Sequence, residues 1–142
     1  MRKDEFANHF DSLQALIDME PPKENGRDLG QRLFDFSVRV VRLCQTLDEQ
    51  PGPARTLARQ LLRSGTSIGA NYEEAQAGHS RADFIAKAGI SLKEARETHY
   101  WLRLLAATKV VRGDLIGELI DEADQIKRIL GSIVSRSRKN ES

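Results

Sequence analysis

No proline follows Pro53, and apolar residues from Leu29 onward recur at steps of three and four. Proline removes a backbone donor and clashes with the preceding turn, so a long stretch without it leaves room for long helices. The spacing puts the apolar residues on one side of each helix. Leu29, Leu33, Phe36, Val40, Leu43 and Leu47 form the first stripe, widened by Val41 and Cys44. It predicts a helix from about Asp28 to Leu47, ended by Asp48-Glu-Gln-Pro-Gly-Pro53. A second helix begins at Pro53 or Ala54, where proline suits a first turn, and runs to about Ala77. Leu57, Leu61, Ser64, Ile68, Asn71 or Tyr72, and Ala75 share one side of it. Its middle is poor in helix formers, and Gly65 and Gly69 predict close approach of a neighbouring helix, with a kink as the rival outcome.

The third helix is expected from Ser80, a good N-cap with Asp83 three residues on, to about Thr108. One strip holds Phe84 or Ile85, Ala88, Leu92, Ala95, His99 and Leu102, and a second holds Trp101, Leu104, Leu105 and Thr108. A fourth helix is expected from Gly113 or Asp114 to about Val134, along Leu115 or Ile116, Leu119, Ala123, Ile126, Leu130 and Ile133. No strand alternation competes with this pattern. Short linkers make the economical fold an all-α, up-down-up-down four-helix bundle. Residues 1–28, with net charge −3 and a short stripe of Phe6, Phe10, Leu13, Leu16 and Ile17, read as an N-terminal extension with its own short helix. The bundle spans 29–134, and 135–142 reads as a flexible basic tail.

Charge and cysteine content narrow the function. Of 142 residues, 22 are Lys or Arg and 21 Asp or Glu, a net charge of +1, so the whole chain is no bulk magnet for nucleic acid. The single cysteine, Cys44, excludes an internal disulfide and a multi-cysteine metal site, and its apolar neighbours predict an inert buried thiol. No apolar run reaches membrane-spanning length, and the start lacks a signal-peptide apolar region, which predicts a cytoplasmic protein. None of His9, His79 and His99 follows a glutamate by three residues, so the Glu-x-x-His di-metal pattern is missing; His99 reads as a core or interface histidine. Glu94, Glu97, Glu118 and Asp121 have the spacing of an all-α, magnesium-dependent nucleotide hydrolase, the alternative enzyme reading, but the expected register separates the two pairs along the bundle. Ser64, Thr66 and Ser67 have no nearby His-Asp pair to activate a nucleophile. No cofactor-binding motif is found, and no catalytic residue is assigned. Residues 79–110 carry a local charge of +3. With bases of the second helix they predict a basic surface of Arg55, Arg59, Arg63, Lys87, Lys93, Arg96 and Arg103 for RNA or DNA.

The run Leu61-Leu-Arg-Ser-Gly-Thr-Ser-Ile-Gly-Ala-Asn-Tyr-Glu-Glu-Ala75, followed by Phe84-Ile-Ala-Lys-Ala-Gly-Ile-Ser-Leu-Lys-Glu-Ala95 and Ile126-Lys-Arg-Ile-Leu-Gly-Ser-Ile133, resembles the bundle proteins encoded in intervening sequences of bacterial 23S ribosomal RNA genes, the S23-like family. Ala75 stands where that family typically has glycine, which predicts a second helix running on to Ala77 or Gly78. The resemblance implies a ring, commonly a homopentamer, and a relation to accessory proteins of diversity-generating retroelements, which bind nucleic acid and a reverse transcriptase. The family itself has no established biochemical activity. Two expectations follow. Ser67, Asn71, Glu74, Ser91 and Glu94 form a polar ladder between the second and third helices. Tyr72, Tyr100, Trp101 and Leu104 supply an oligomer interface. The expected role is a non-catalytic, homo-oligomeric scaffold or binding protein.

Overall fold

The computed structural model describes residues 29–140, apart from the side chain of Leu115. The expected N-terminal helix and His9 lie outside the described residues. Four helices make up the described chain: α1 (Leu29–Asp48), α2 (Pro53–Gln76), α3 (Arg81–Ala107) and α4 (Gly113–Lys139). Each packs on the next in sequence, while α1 and α4 touch only lightly. Short connections force sequential helices to run antiparallel, so the chain forms the expected up-down-up-down bundle.

Leu33, Phe36, Val40, Leu43 and Leu47 of α1 are buried, as are Leu61, Ile68 and Ala75 of α2. Ala88, Leu92, Ala95, Leu102 and Leu105 of α3 meet Ile116, Leu119, Ala123, Ile126, Leu130 and Val134 of α4 in the same core. Packing of α3 against both α2 and α4 buries most of its first strip, but of the second only Leu105 is buried, while Trp101 and Leu104 are half-buried and Thr108 is exposed.

Helix ends follow local chemistry. Gly52 takes a positive φ of 93° just before Pro53, a turn that a side chain would strain. Ser80 Oγ accepts from the Asp83 backbone N–H at 3.1 Å and caps α3. Thus α2 passes through Ser64–Ala70 without a break and ends at Gln76, just short of the expected Ala77, with Ala75 buried in the core. The tail is the larger departure: α4 continues five residues past Val134, to Lys139. Arg136, Arg138 and Lys139 in its last turn favour the negative end of the helix dipole. Arg81 also donates to the Asn140 carbonyl at 3.0 Å, tying that end to the start of α3.

The glycines of α2 face α1. A methyl group at Gly65 would meet Val40 Cγ1 at 2.7 Å, and one at Gly69 would lie 3.5 Å from Leu33 Cβ. The close approach expected from these two glycines is made by α1.

Candidate nucleic-acid interface

Between α2 and α3 the polar residues do not converge on one point. Ser91 Oγ, fully buried, donates to the Ile68 carbonyl at 2.7 Å, one residue beyond the expected level at Ser67. Ser67 Oγ instead donates to the Arg63 carbonyl of its own helix. Asn71 Nδ2 donates to the Ser67 carbonyl at 2.8 Å, also within α2, and Glu74 is exposed. The buried polar layer contains a residue that the sequence reading missed. The hydroxyls of Ser64 and Thr98, both at 0% exposure, stand 2.9 Å apart, and Thr98 Oγ1 donates to the Glu94 carbonyl at 2.8 Å. Each of these hydroxyls has a partner, as burial demands. The layer sets register between two helices, and its groups are consumed in doing so.

Arg63 is consumed as well. Its guanidinium pairs with Glu94 at 3.3 Å and also with Glu97, and Trp101 Nε1 donates to Glu97 at 3.2 Å. The Arg63 hydrogen bond, with help from Trp101, holds the Glu97 carboxyl below the usual carboxylate range. Glu118 turns the other way and pairs with Arg39 of α1 at 3.7 Å, while Asp121 is exposed. Counting from the contact between His99 and Lys127, the two α3 carboxylates lie roughly 12–21 Å along the axis from the two of α4. Among the described residues no three metal-ligating side chains come together. Cys44 is buried, and its Sγ donates to the Ala58 carbonyl at 3.3 Å. Burial, reinforced by Asp48, pushes the thiol up to about 12. It is a protonated core group.

The seven bases expected to form one surface are dispersed. Arg55 is bonded to the Asp48 carbonyl, Arg59 lines a cleft between α1 and α2, Lys87 is half-buried and Lys93 is exposed. Arg96 and Arg103 are brought together in an open groove between α3 and α4. Four further side chains, those of His99, Tyr100, Lys127 and Arg128, line it together with Gly131, and its volume is about 550 Å³. Lys127 and Arg128 are the functional candidates that the sequence reading missed. They share one carboxylate, Asp124, at 3.1 Å and 3.0 Å. Arg96 and Arg103 have no carboxylate partner among the described residues. Four cations thus face a single acid, and the groove carries a surplus of positive charge.

His99 lies at this groove rather than deep in the core. Its Nδ1 is 3.5 Å from Lys127 Nζ. Partial burial, then the charges of Lys127 and Arg103, push its pKa down, against an opposing pull from Asp124. The imidazole is therefore neutral at neutral pH and adds to the positive charge of the groove only in acid.

The expected interface aromatics have different fates. Tyr72 is buried, its hydroxyl accepting from Gln76 Nε2 at 3.0 Å, so it is a core residue of its own chain. Trp101 and Leu104 are half-buried. Tyr100 is 49% exposed and meets Trp101 edge to face, with ring centroids 5.2 Å apart.

The described residues define a four-helix bundle whose polar side chains are spent on register and ion pairing, with one open basic groove. The family model described as 23S rRNA-intervening sequence protein matches residues 28–132, and the chain belongs to that family. It is also similar to a crystal structure from Bacteroides thetaiotaomicron, described as a protein with unknown function from the S23 ribosomal protein family. The two share 40% identity over 74% of this chain and 96% of that one, with a TM-score of 0.68. No curated protein matches the chain. No described helix is long and apolar enough to cross a membrane.

Proposed function

We propose that this chain is a cytoplasmic, non-catalytic scaffold protein that self-associates and binds nucleic acid through the groove between α3 and α4. The observation that carries the reading is the groove lined by Arg96, Arg103, Lys127 and Arg128, of which only Lys127 and Arg128 are paired with a carboxylate, that of Asp124. Phosphate backbones are held by such clusters, and the bound state releases counterions. In a mobility-shift assay with single-stranded RNA and duplex DNA, affinity is expected to fall about 20- to 150-fold between 50 and 200 mM salt, given three or four phosphate contacts per groove. Arg96→Glu with Arg103→Glu is expected to abolish the shift and flatten the salt slope. Absence of binding at low salt overturns the reading.

Self-association is supported by large apolar side chains left outside the core: Phe34 at 57% exposure, with Leu62 and Ile90 also exposed. A closed cyclic ring hides such surfaces symmetrically. We read the ring as a homopentamer akin to the accessory proteins of diversity-generating retroelements, the assembly that the family resemblance implies. Light scattering at micromolar concentration is expected to give about five times the 16.0 kDa of one chain. A mass of one chain overturns the ring, and a reverse-transcriptase gene beside this one would support the retroelement kinship.

A further inference from the structure

Tyr100 is a groove residue that charge does not explain. On α3 it follows Arg96 by four residues and precedes Arg103 by three, so all three project from one helix face. Its side chain lines the groove together with Arg96, Arg103, Lys127 and Arg128. The ring is half-exposed and held edge to face by Trp101, whose indole N–H is fixed on Glu97. An aromatic ring exposed to water, packed edge to face on Trp101 and lining the same groove as three guanidinium groups and an ammonium, offers a π-face beside phosphate-binding charge. That pairing is how sequence-tolerant sites hold an unpaired strand: bases stack on the ring while cations track the backbone. A duplex keeps its base faces inside its own stack and has none to give.

Resting on the nucleic-acid reading above, we propose that the groove selects single-stranded over duplex nucleic acid, with one base stacked on Tyr100 and the flanking phosphates held by Arg96, Arg103, Lys127 and Arg128. From Arg96 to Arg103 the helix advances roughly 10 Å, room for about two or three nucleotides per protomer. Stacking is indifferent to the sugar, so RNA and DNA single strands bind alike.

The test uses the full chain with three ligands: a short single-stranded RNA, the DNA strand of the same sequence, and the matching DNA duplex. Binding is followed by fluorescence anisotropy at low salt. Both single strands are expected to bind more tightly than the duplex. Tyr100→Ala is expected to weaken single-strand binding by about 5- to 150-fold, while duplex binding stays unchanged and Tyr100→Phe keeps the wild-type affinity. Particle mass by light scattering is expected to be the same for wild type and Tyr100→Ala. Equal affinity for strand and duplex, or a Tyr100→Ala variant that weakens both alike, overturns the selectivity and leaves the phosphate-binding groove standing. A change in particle mass in Tyr100→Ala places the ring against a second copy and also overturns it. Failure of all three ligands to bind overturns the groove reading itself.

Discussion

Replacing Glu122 by leucine is expected to cost about 3–5 kcal/mol of folding stability. Arg32 and Glu122 are both buried, and Arg32 Nε donates to Glu122 Oε1 and Oε2 at 3.1 and 3.2 Å. Arg32 Nη2 bonds Glu122 as well and reaches Gln125 Oε1 at 2.8 Å. Arg39 lies seven residues further along α1 and is also buried; desolvation lowers its pKa, against the pull of Glu118 and then Glu122. Glu122 therefore pairs directly with Arg32 and adds to the pull of Glu118 on Arg39. Removing it leaves Arg32 buried without its carboxylate, and desolvating a charge costs far more than a surface pair returns. Glu118, whose side chain is 57% exposed at 3.7 Å from Arg39, is the contrast: Glu118→Gln is expected to cost about 0–1 kcal/mol. The double variant Arg32→Met with Glu122→Leu is expected to recover most of the loss, because apolar side chains of similar volume fill the same seam. Urea unfolding checks this through shifts of the midpoint at constant slope. A Glu122→Leu loss under about 1 kcal/mol, or a double variant as weak as the single, removes the seam from the account of stability.

The seam also shows which parts of the molecule were legible in the sequence. Helices came from apolar spacing because burial acts on every turn, and the stripe of α1 is the buried face of the structure. Arg32 and Arg39 escaped notice since each adjoins a stripe residue, Leu33 or Val40, and a long charged side chain beside a stripe usually reaches water. Their seven-residue spacing and the matching Glu118, Glu122 and Gln125 were visible, but pairing across about ninety residues depends on which helices touch, a property of topology. His99 and Thr98 show the limit at single-residue scale. Both lie within one step of the same stripe, about 100° apart on the helix, and hydropathy does not choose between them. Packing against Ser64 buries Thr98 and turns His99 to the groove. The basic site was read from one half only. Arg96 and Arg103 stood out in a positive segment, whereas Lys127 and Arg128 were masked by Asp121, Glu122 and Asp124 close by in the chain. Two of those acids are engaged: Glu122 faces α1, and Asp124 is shared by the two bases.

Gly65 carries the second large effect, through space rather than charge. A Cβ there would stand 2.7 Å from Val40 Cγ1, 3.1 Å from Cγ2 and 3.3 Å from Cβ. Val40 is fully buried, and a β-branched side chain in a helix holds essentially one rotamer, so it has no cheap way to yield. Gly65→Ala gains about 1 kcal/mol of helix propensity but meets an overpacking cost of about 1–3 kcal/mol, and a net loss is expected. Gly65→Leu adds volume that only separation of α1 from α2 can accommodate, and it is expected to lose more than 3 kcal/mol or fail to fold. Val40→Ala alone opens a void and costs about 2 kcal/mol. Combined with Gly65→Ala it trades one methyl position for another, so the double variant is expected to be more stable than the sum of the singles predicts, by at least about 1 kcal/mol. Gly69→Ala is the control. Its Cβ would meet Leu33 atoms at 3.5–3.6 Å, ordinary contact, so the propensity gain survives and stability rises. Additive losses in the cycle of Val40 with Gly65, or a Gly69→Ala variant as damaged as Gly65→Ala, would show that the helix backbone, and not the contact with α1, demands glycine at these positions.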